Sequence, residues 1–73
     1  MKNLIKVERA RHNLSQQQLA DLLGINRQSI GAIENRKFIP SVLMALRMAK
    51  LFNLKVEDIF VLEESEFISE ILQ

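Results

Sequence analysis

The segment from Ser15 to Lys37, SQQQLADLLGINRQSIGAIENRK, constrains the fold more than any other, because two short helical patterns meet in it across a single glycine. Ser15 followed by Gln18 is a capping-box pairing, in which each side chain can satisfy a backbone N–H at a helix start. Leu19, Ala20, Leu22 and Leu23 supply the buried side of that helix, and Gly24 can take the left-handed conformation that ends it. Ile25 re-enters the core, Asn26 can cap the next helix, and Ile30 and Ile33 fall three apart on one face of it. Arg27, Gln28, Gly31 and Ala32 are left facing away from the core.

The rest of the chain continues the helical pattern. A first helix is predicted from about Asn3 to His12, with Ile5, Arg9 and either Leu4 or Val7 directed inward and Asn13 as a left-handed stop. Pro40 disfavours helix at Ile39, and Ser41 can cap a fourth helix reaching about Phe52. Leu54 and a last short helix around Val56 to Phe60 close the set. The fold class expected is all-α: a compact five-helix bundle over residues 1–60, with a short C-terminal extension over residues 61–73.

Seventy-three residues make one domain whose core supplies only about 3–5 kcal/mol unless disulfides, metal or oligomerisation help. Cysteine is absent and His12 is the single histidine, so disulfides are excluded, no metal site is expected, and oligomerisation is the available support. The same absences argue against an enzyme: there is no thiol nucleophile, His12 has no carboxylate or hydroxyl at a suggestive spacing, and two glycines build no phosphate loop. No cofactor or small-molecule ligand is expected. Apolar runs are too short for a membrane span or a signal-peptide core, so the expectation is a soluble, cytoplasmic protein.

The net charge of +1 hides a division. Residues 1–60 hold all ten Lys and Arg against five acids, a charge of +5, while residues 61–73 hold four glutamates and no base, a charge of −4. A basic bundle suits phosphate, and an acidic tail should point away from it.

Two features suggest contact between copies. The fourth helix carries more apolar residues than one buried stripe requires, and Leu43 shares a face with Arg47 and so should be exposed, either as a scattered surface leucine or as a protomer contact. In the tail, VLEESEFISEILQ, Ser65 can cap a short helix with Glu66 in its first turn and Phe67, Ile68, Ile71 and Leu72 on one side. So short a helix must pack on something. It either folds onto its own bundle or makes a dimer; failing both, it is disordered or Phe60, Val61 and Leu62 pair as a strand.

The run QQQLADLLGINRQSIGAIENRK resembles the helix-turn-helix of the Cro/cI-type repressors, also called the XRE family, through Gln16, Leu19, Ala20, Gly24, Ile25, Ile30, Ile33, Glu34 and Asn35 at fixed offsets. The resemblance covers the first sixty residues and implies a lambda-repressor-like bundle whose third helix enters the major groove of double-stranded DNA. By position in the family motif, Arg27, Gln28 and Ala32 match base-reading sites, with Ser29 near a phosphate or a thymine methyl. Arginine can take N7 and O6 of guanine together, and glutamine N6 and N7 of adenine. Gln16 matches a phosphate contact, and Asn35, Arg36 and Lys37 can supply backbone N–H groups and cations to the same strand. Arg36 stands where the family often has glycine. Arg9 and Glu34 match a structural ion pair tying the first helix to the end of the third.

The implied activity is sequence-specific transcriptional regulation, by repression. Two bidentate contacts at about 1–3 kcal/mol each fall short of the roughly 4–10 kcal/mol by which specific binding exceeds non-specific, so a homodimer on an inverted repeat is expected. The alternative is an antitoxin-like or adaptor module whose apolar tail grips a protein partner.

Overall fold

The structure is a computed structural model that describes residues 1–67. Its elements in chain order are β1 (Lys2–Asn3), α1 (Ile5–Arg11), α2 (Gln16–Leu23), α3 (Arg27–Glu34), α4 (Val42–Phe52), α5 (Val56–Ile59) and β2 (Phe60–Val61), followed by one 3-10 turn at Glu64–Glu66. The five-helix bundle is present as the sequence implies. Ile68, Ile71 and Leu72, named above as dimer candidates, lie outside the described residues.

Three helices start on side-chain caps that the sequence announces. The Ser15 hydroxyl accepts from the Gln18 N–H at 3.0 Å while Gln18 accepts from the Ser15 N–H at 2.8 Å. Asn26 accepts from the Ser29 N–H at 2.8 Å, and Ser41 from the Met44 N–H at 3.1 Å. Each cap satisfies a donor that the first turn leaves without a carbonyl.

Four helix ends share one device. Asn13, Gly24, Arg36 and Asn53 have φ of 54°, 72°, 64° and 56°. In each case the following N–H returns to the carbonyl five residues back: Leu14 to Arg9, Ile25 to Ala20, Lys37 to Ala32 and Leu54 to Ala49, all within 2.8–3.0 Å. This is the Schellman closure, which favours Gly or Asn at the left-handed position and an apolar residue after it. Leu14, Ile25 and Leu54 obey and pack against the core. The end of α3 departs twice, with Arg36 left-handed and Lys37 after it.

The core joins Ile5 of α1, Leu19, Ala20 and Leu23 of α2, Ile30 and Ile33 of α3, Met48, Ala49 and Phe52 of α4, Ile59 of α5 and Phe60 of β2. Leu22, counted with the buried side of α2 from its sequence, is 57% exposed. Leu19 and Leu23, four apart, already fill the stripe, and Leu22 sits a turn-quarter off it. Neither Leu4 nor Val7 is buried; Glu8 takes the inward position on α1 beside Ile5, with Arg11 at 3.4 Å from its carboxylate. The helix predicted from Asn3 begins only at Ile5, because Asn3 pairs in a sheet.

That sheet is two residues a side. Lys2 stands opposite Val61 and Asn3 opposite Phe60, antiparallel, and the Leu4 N–H extends the pairing to the Ile59 carbonyl at 2.8 Å. It ends α5 at Ile59, one residue before the predicted limit. Of the alternatives for the tail, the strand pairing of Phe60 and Val61 is present. The predicted helix beginning at Ser65 is replaced at its start by the 3-10 turn, in which Glu66 accepts from the Glu63 N–H at 2.8 Å and Phe67 is extended. Four residues bearing three glutamates close a tight turn by side-chain capping more readily than they start a helix. No helix among the described residues is long and apolar enough to cross a membrane.

Candidate nucleic-acid interface

α2 and α3 pack through Leu19, Ala20, Leu23, Ile30 and Ile33, so the opposite face of α3 is held toward solvent. Arg27 and Gln28, in its first turn, are exposed; Gly31 and Ala32 follow on the same face, half-buried. Together with Gln16, Asn35 and Lys37 they line one shallow open depression. The fold thus gathers residues from the start of α2, the length of α3 and the turn after it onto one surface.

A chain of polar contacts sets the angle between these parts. Arg9 donates from Nε to Glu34 Oε2 at 2.6 Å and from a terminal nitrogen to Oε1 at 3.2 Å. Its other terminal nitrogen reaches the Leu14 carbonyl at 2.9 Å. Gln16 Nε2 donates to Glu34 Oε1 at 3.0 Å, the orientation required because a carboxylate only accepts. Glu34 therefore ties α1, the turn before α2 and the first residue of α2 to the last turn of α3. The two charged side chains are 14% and 7% exposed, so the geometry is held in a partly desolvated place.

Not every residue singled out in the sequence lies on this surface. Ser29 is half-buried, and its hydroxyl donates to Asn26 Oδ1 at 2.9 Å, within the cap of α3. It faces the flank toward Phe38, whose ring is exposed beside Gln28 and Ala32. Phe38 escaped sequence reasoning because it follows the motif and belongs to no periodic stripe. Arg36 is turned to the far side: it forms an ion pair with Glu63 and lines a hollow with Met1, Asn3 and Phe60. The same side is laced by Asn3 Nδ2, which donates to the Ile33 carbonyl at 2.9 Å. Glu63 of the extension thus sits against the back of α3's end, away from Arg27 and Gln28.

Electrostatically the exposed surface is cationic. Arg27 and Lys37 border it, the N-termini of α2 and α3 add their positive ends, and Glu34, the acid nearest to it, is engaged by Arg9. Exposed N–H donors, a planar guanidinium and a primary amide on one convex helix are the groups that meet phosphate oxygens and base edges.

A helix-turn-helix family model matches residues 5–59. An uncharacterised HTH-type transcriptional regulator of Methanocaldococcus jannaschii is 52% identical over 66 residues, covering 90% of this chain and 100% of that protein. A second uncharacterised HTH-type transcriptional regulator, of Bacillus subtilis, is 47% identical over 64 residues, covering 88% of this chain and 97% of its own. The crystal structure of a transcriptional regulator from Listeria innocua superposes with a TM-score of 0.73 at 18% identity, over 99% of this chain and 73% of that one, a likeness of fold.

Proposed function

The chain belongs to the helix-turn-helix family, XRE type, of DNA-binding transcriptional regulators, and from that premise we propose that it is a cytoplasmic repressor that binds an inverted repeat as a homodimer. The observation that carries this reading is the grouping of Arg27, Gln28, Gln16, Asn35 and Lys37 on one open surface of α3 and its flanks.

In this reading α3 lies in the major groove with its first turn deepest. Arg27 takes N7 and O6 of a guanine, Gln28 takes N6 and N7 of an adenine, and Ala32 offers its methyl to a thymine. Gln16 holds its amide against Glu34 and keeps one N–H for a phosphate, where the N-terminus of α2 adds its partial charge. Asn35 and Lys37 take phosphate on the other side of α3. Ser29 supports the site through the Asn26 cap and the Phe38 flank, and Arg36 supports it from behind through Glu63. Residues 1–60 form the reading unit and residues 61–73 an extension of it, whose Glu63 meets Arg36 at the end of α3. Gly31 and Ala32 contribute so little readout that one copy is insufficient, which supports two. Repression follows from occupancy, since a dimer covering two half-sites excludes other proteins from that stretch of duplex.

Selection of bound sequences from random duplex DNA, followed by the salt dependence of the enriched site, tests the reading. An enriched inverted repeat with half-sites about one helical turn apart and a steep loss of affinity with salt is expected. A flat salt response or no enriched repeat overturns it.

A further inference from the structure

Between Glu34 and Glu57 the chain has no acidic residue, and within that stretch six large apolar side chains face solvent, of which four gather around the start of α4: Ile39 is 69% exposed, Val42 76%, Leu43 65% and Leu46 54%. Val42, Leu43 and Leu46 share one face of α4, and Ile39 leads into it from the preceding turn. The other side of α4 is already committed, through Met48, Ala49 and Phe52, to the core. α4 is therefore apolar on two sides, and nothing among the described residues covers the second.

We propose that this face is the seat of a second copy of the chain, joined across a twofold axis near Leu43; the inference rests on the homodimer reading and names its surface. Size supports it. The four side chains with the aliphatic stems of the neighbouring Arg47 and Lys50 offer on the order of 500 Å² of apolar surface, and a stable interface takes roughly 800 Å² from each partner, about two-thirds of it apolar in homodimers.

The charge pattern selects a second copy over a foreign partner. Arg47 and Lys50 lie only at the C-terminal end of the face. In an antiparallel pairing centred on Leu43 the two copies of Arg47 stand about 6 Å from the axis on opposite sides, some 12 Å apart and beyond a Debye length at physiological salt. An acidic partner would find no cation at the centre, whereas a second copy finds an uncharged one.

Position relative to the reading surface agrees. Ile39 follows the end of α3 by five residues, a span of at most about 17 Å at roughly 3.4 Å per residue. The same turn holds Asn35 and Lys37, so covering Ile39 also fixes the residues assigned to phosphate.

The absence of cysteine makes the test direct. Single variants Val42→Cys, Leu43→Cys and Leu46→Cys of the full chain are oxidised with and without the selected duplex, beside Phe67→Cys on the extension. At least one α4 variant should convert almost fully to a disulfide-linked dimer, since cysteines within about 7 Å Cα–Cα across an axis can bridge. In parallel, sedimentation equilibrium compares wild type with Leu43→Glu, Leu46→Glu and the remote control Leu22→Glu. The α4 variants should weaken dimerisation at least 100-fold with unchanged circular dichroism, and the control should not. A wild-type dimer left intact by both α4 glutamates, or linked through Phe67→Cys alone, overturns this surface while leaving the homodimer standing. A wild-type protein monomeric both free and on DNA overturns the homodimer reading itself.

Discussion

Glu34 at the end of α3 receives Arg9 of α1 through Nε at 2.6 Å, and this one carboxylate ties α3 to the rest of the bundle. Arg9→Ala leaves a nearly buried carboxylate with only the Gln16 amide, at a cost on the order of 3–5 kcal/mol, comparable to what a core this small supplies. Urea titration followed by circular dichroism should find the variant largely unfolded at 25 °C. Arg9→Met combined with Glu34→Leu should recover much of the loss, because replacing both partners removes the stranded charge. An unchanged urea midpoint for Arg9→Ala contradicts a structural role for the pair.

Arg36 and Lys37 are neighbours in sequence and face opposite ways, so their removal should separate. Lys37→Ala should weaken binding to all sequences about equally and lower the slope of log affinity against log salt by about one phosphate. Arg36→Asn should leave that slope unchanged, since the guanidinium is engaged by Glu63 behind α3. It should also raise stability by about 0.5–1 kcal/mol, because asparagine tolerates the φ of 64° better and a half-exposed ion pair contributes little. Equal salt slopes for the two variants would show that Arg36 swings to the duplex.

Arg27→Ala should act differently from both. Loss of a bidentate guanine contact relaxes preference at a single base position by about 1–3 kcal/mol while the preferences elsewhere persist. Comparing the sites selected by wild type and variant checks this, and a uniform loss across all positions would move Arg27 to the phosphate class.

What the sequence revealed and what it hid divide along local and non-local lines. Ser15 with Gln18, Asn26, Gly24, Ser41 and Asn13 act within four or five residues of themselves, so their caps and closures follow from spacing alone. The exposed face of α3 was legible for the same reason, being one side of one short helix. Leu22 and the choice of Leu4 or Val7 misled because polarity does not say which of two adjacent positions meets the core; Glu8 takes the inward place on α1, with Arg11 beside its carboxylate. The strand pair of Lys2–Asn3 with Phe60–Val61 joins residues nearly sixty apart and has no two-residue signature. The orientation of Arg36 depends on that pairing, which carries Glu63 to the back of α3. The face of Ile39, Val42 and Leu46 was obscured because a helix apolar on two sides resembles one that is buried.

Gly31 offers a test in which stability and binding should move in opposite directions. It lies within α3, where glycine is less favourable than alanine by up to about 1 kcal/mol. A Cβ added there meets only Gln16 Nε2, at 3.9 Å, an ordinary contact, so Gly31→Ala should fit and raise the melting temperature by several degrees. Yet Gly31 lines the surface between Arg27 and Asn35, one turn behind the deepest part of α3, where the helix backbone must still approach the duplex closely if Arg27 and Gln28 are to reach base edges. A methyl at that point holds the two surfaces apart, and misplacing a bidentate contact forfeits most of its roughly 1–3 kcal/mol. Affinity for the selected duplex should therefore fall about tenfold or more in a protein that is better folded than the wild type. A stabilised variant that binds as tightly as before would mean that α3 does not approach DNA along this face, and the assignments of Arg27 and Gln28 would fall with it.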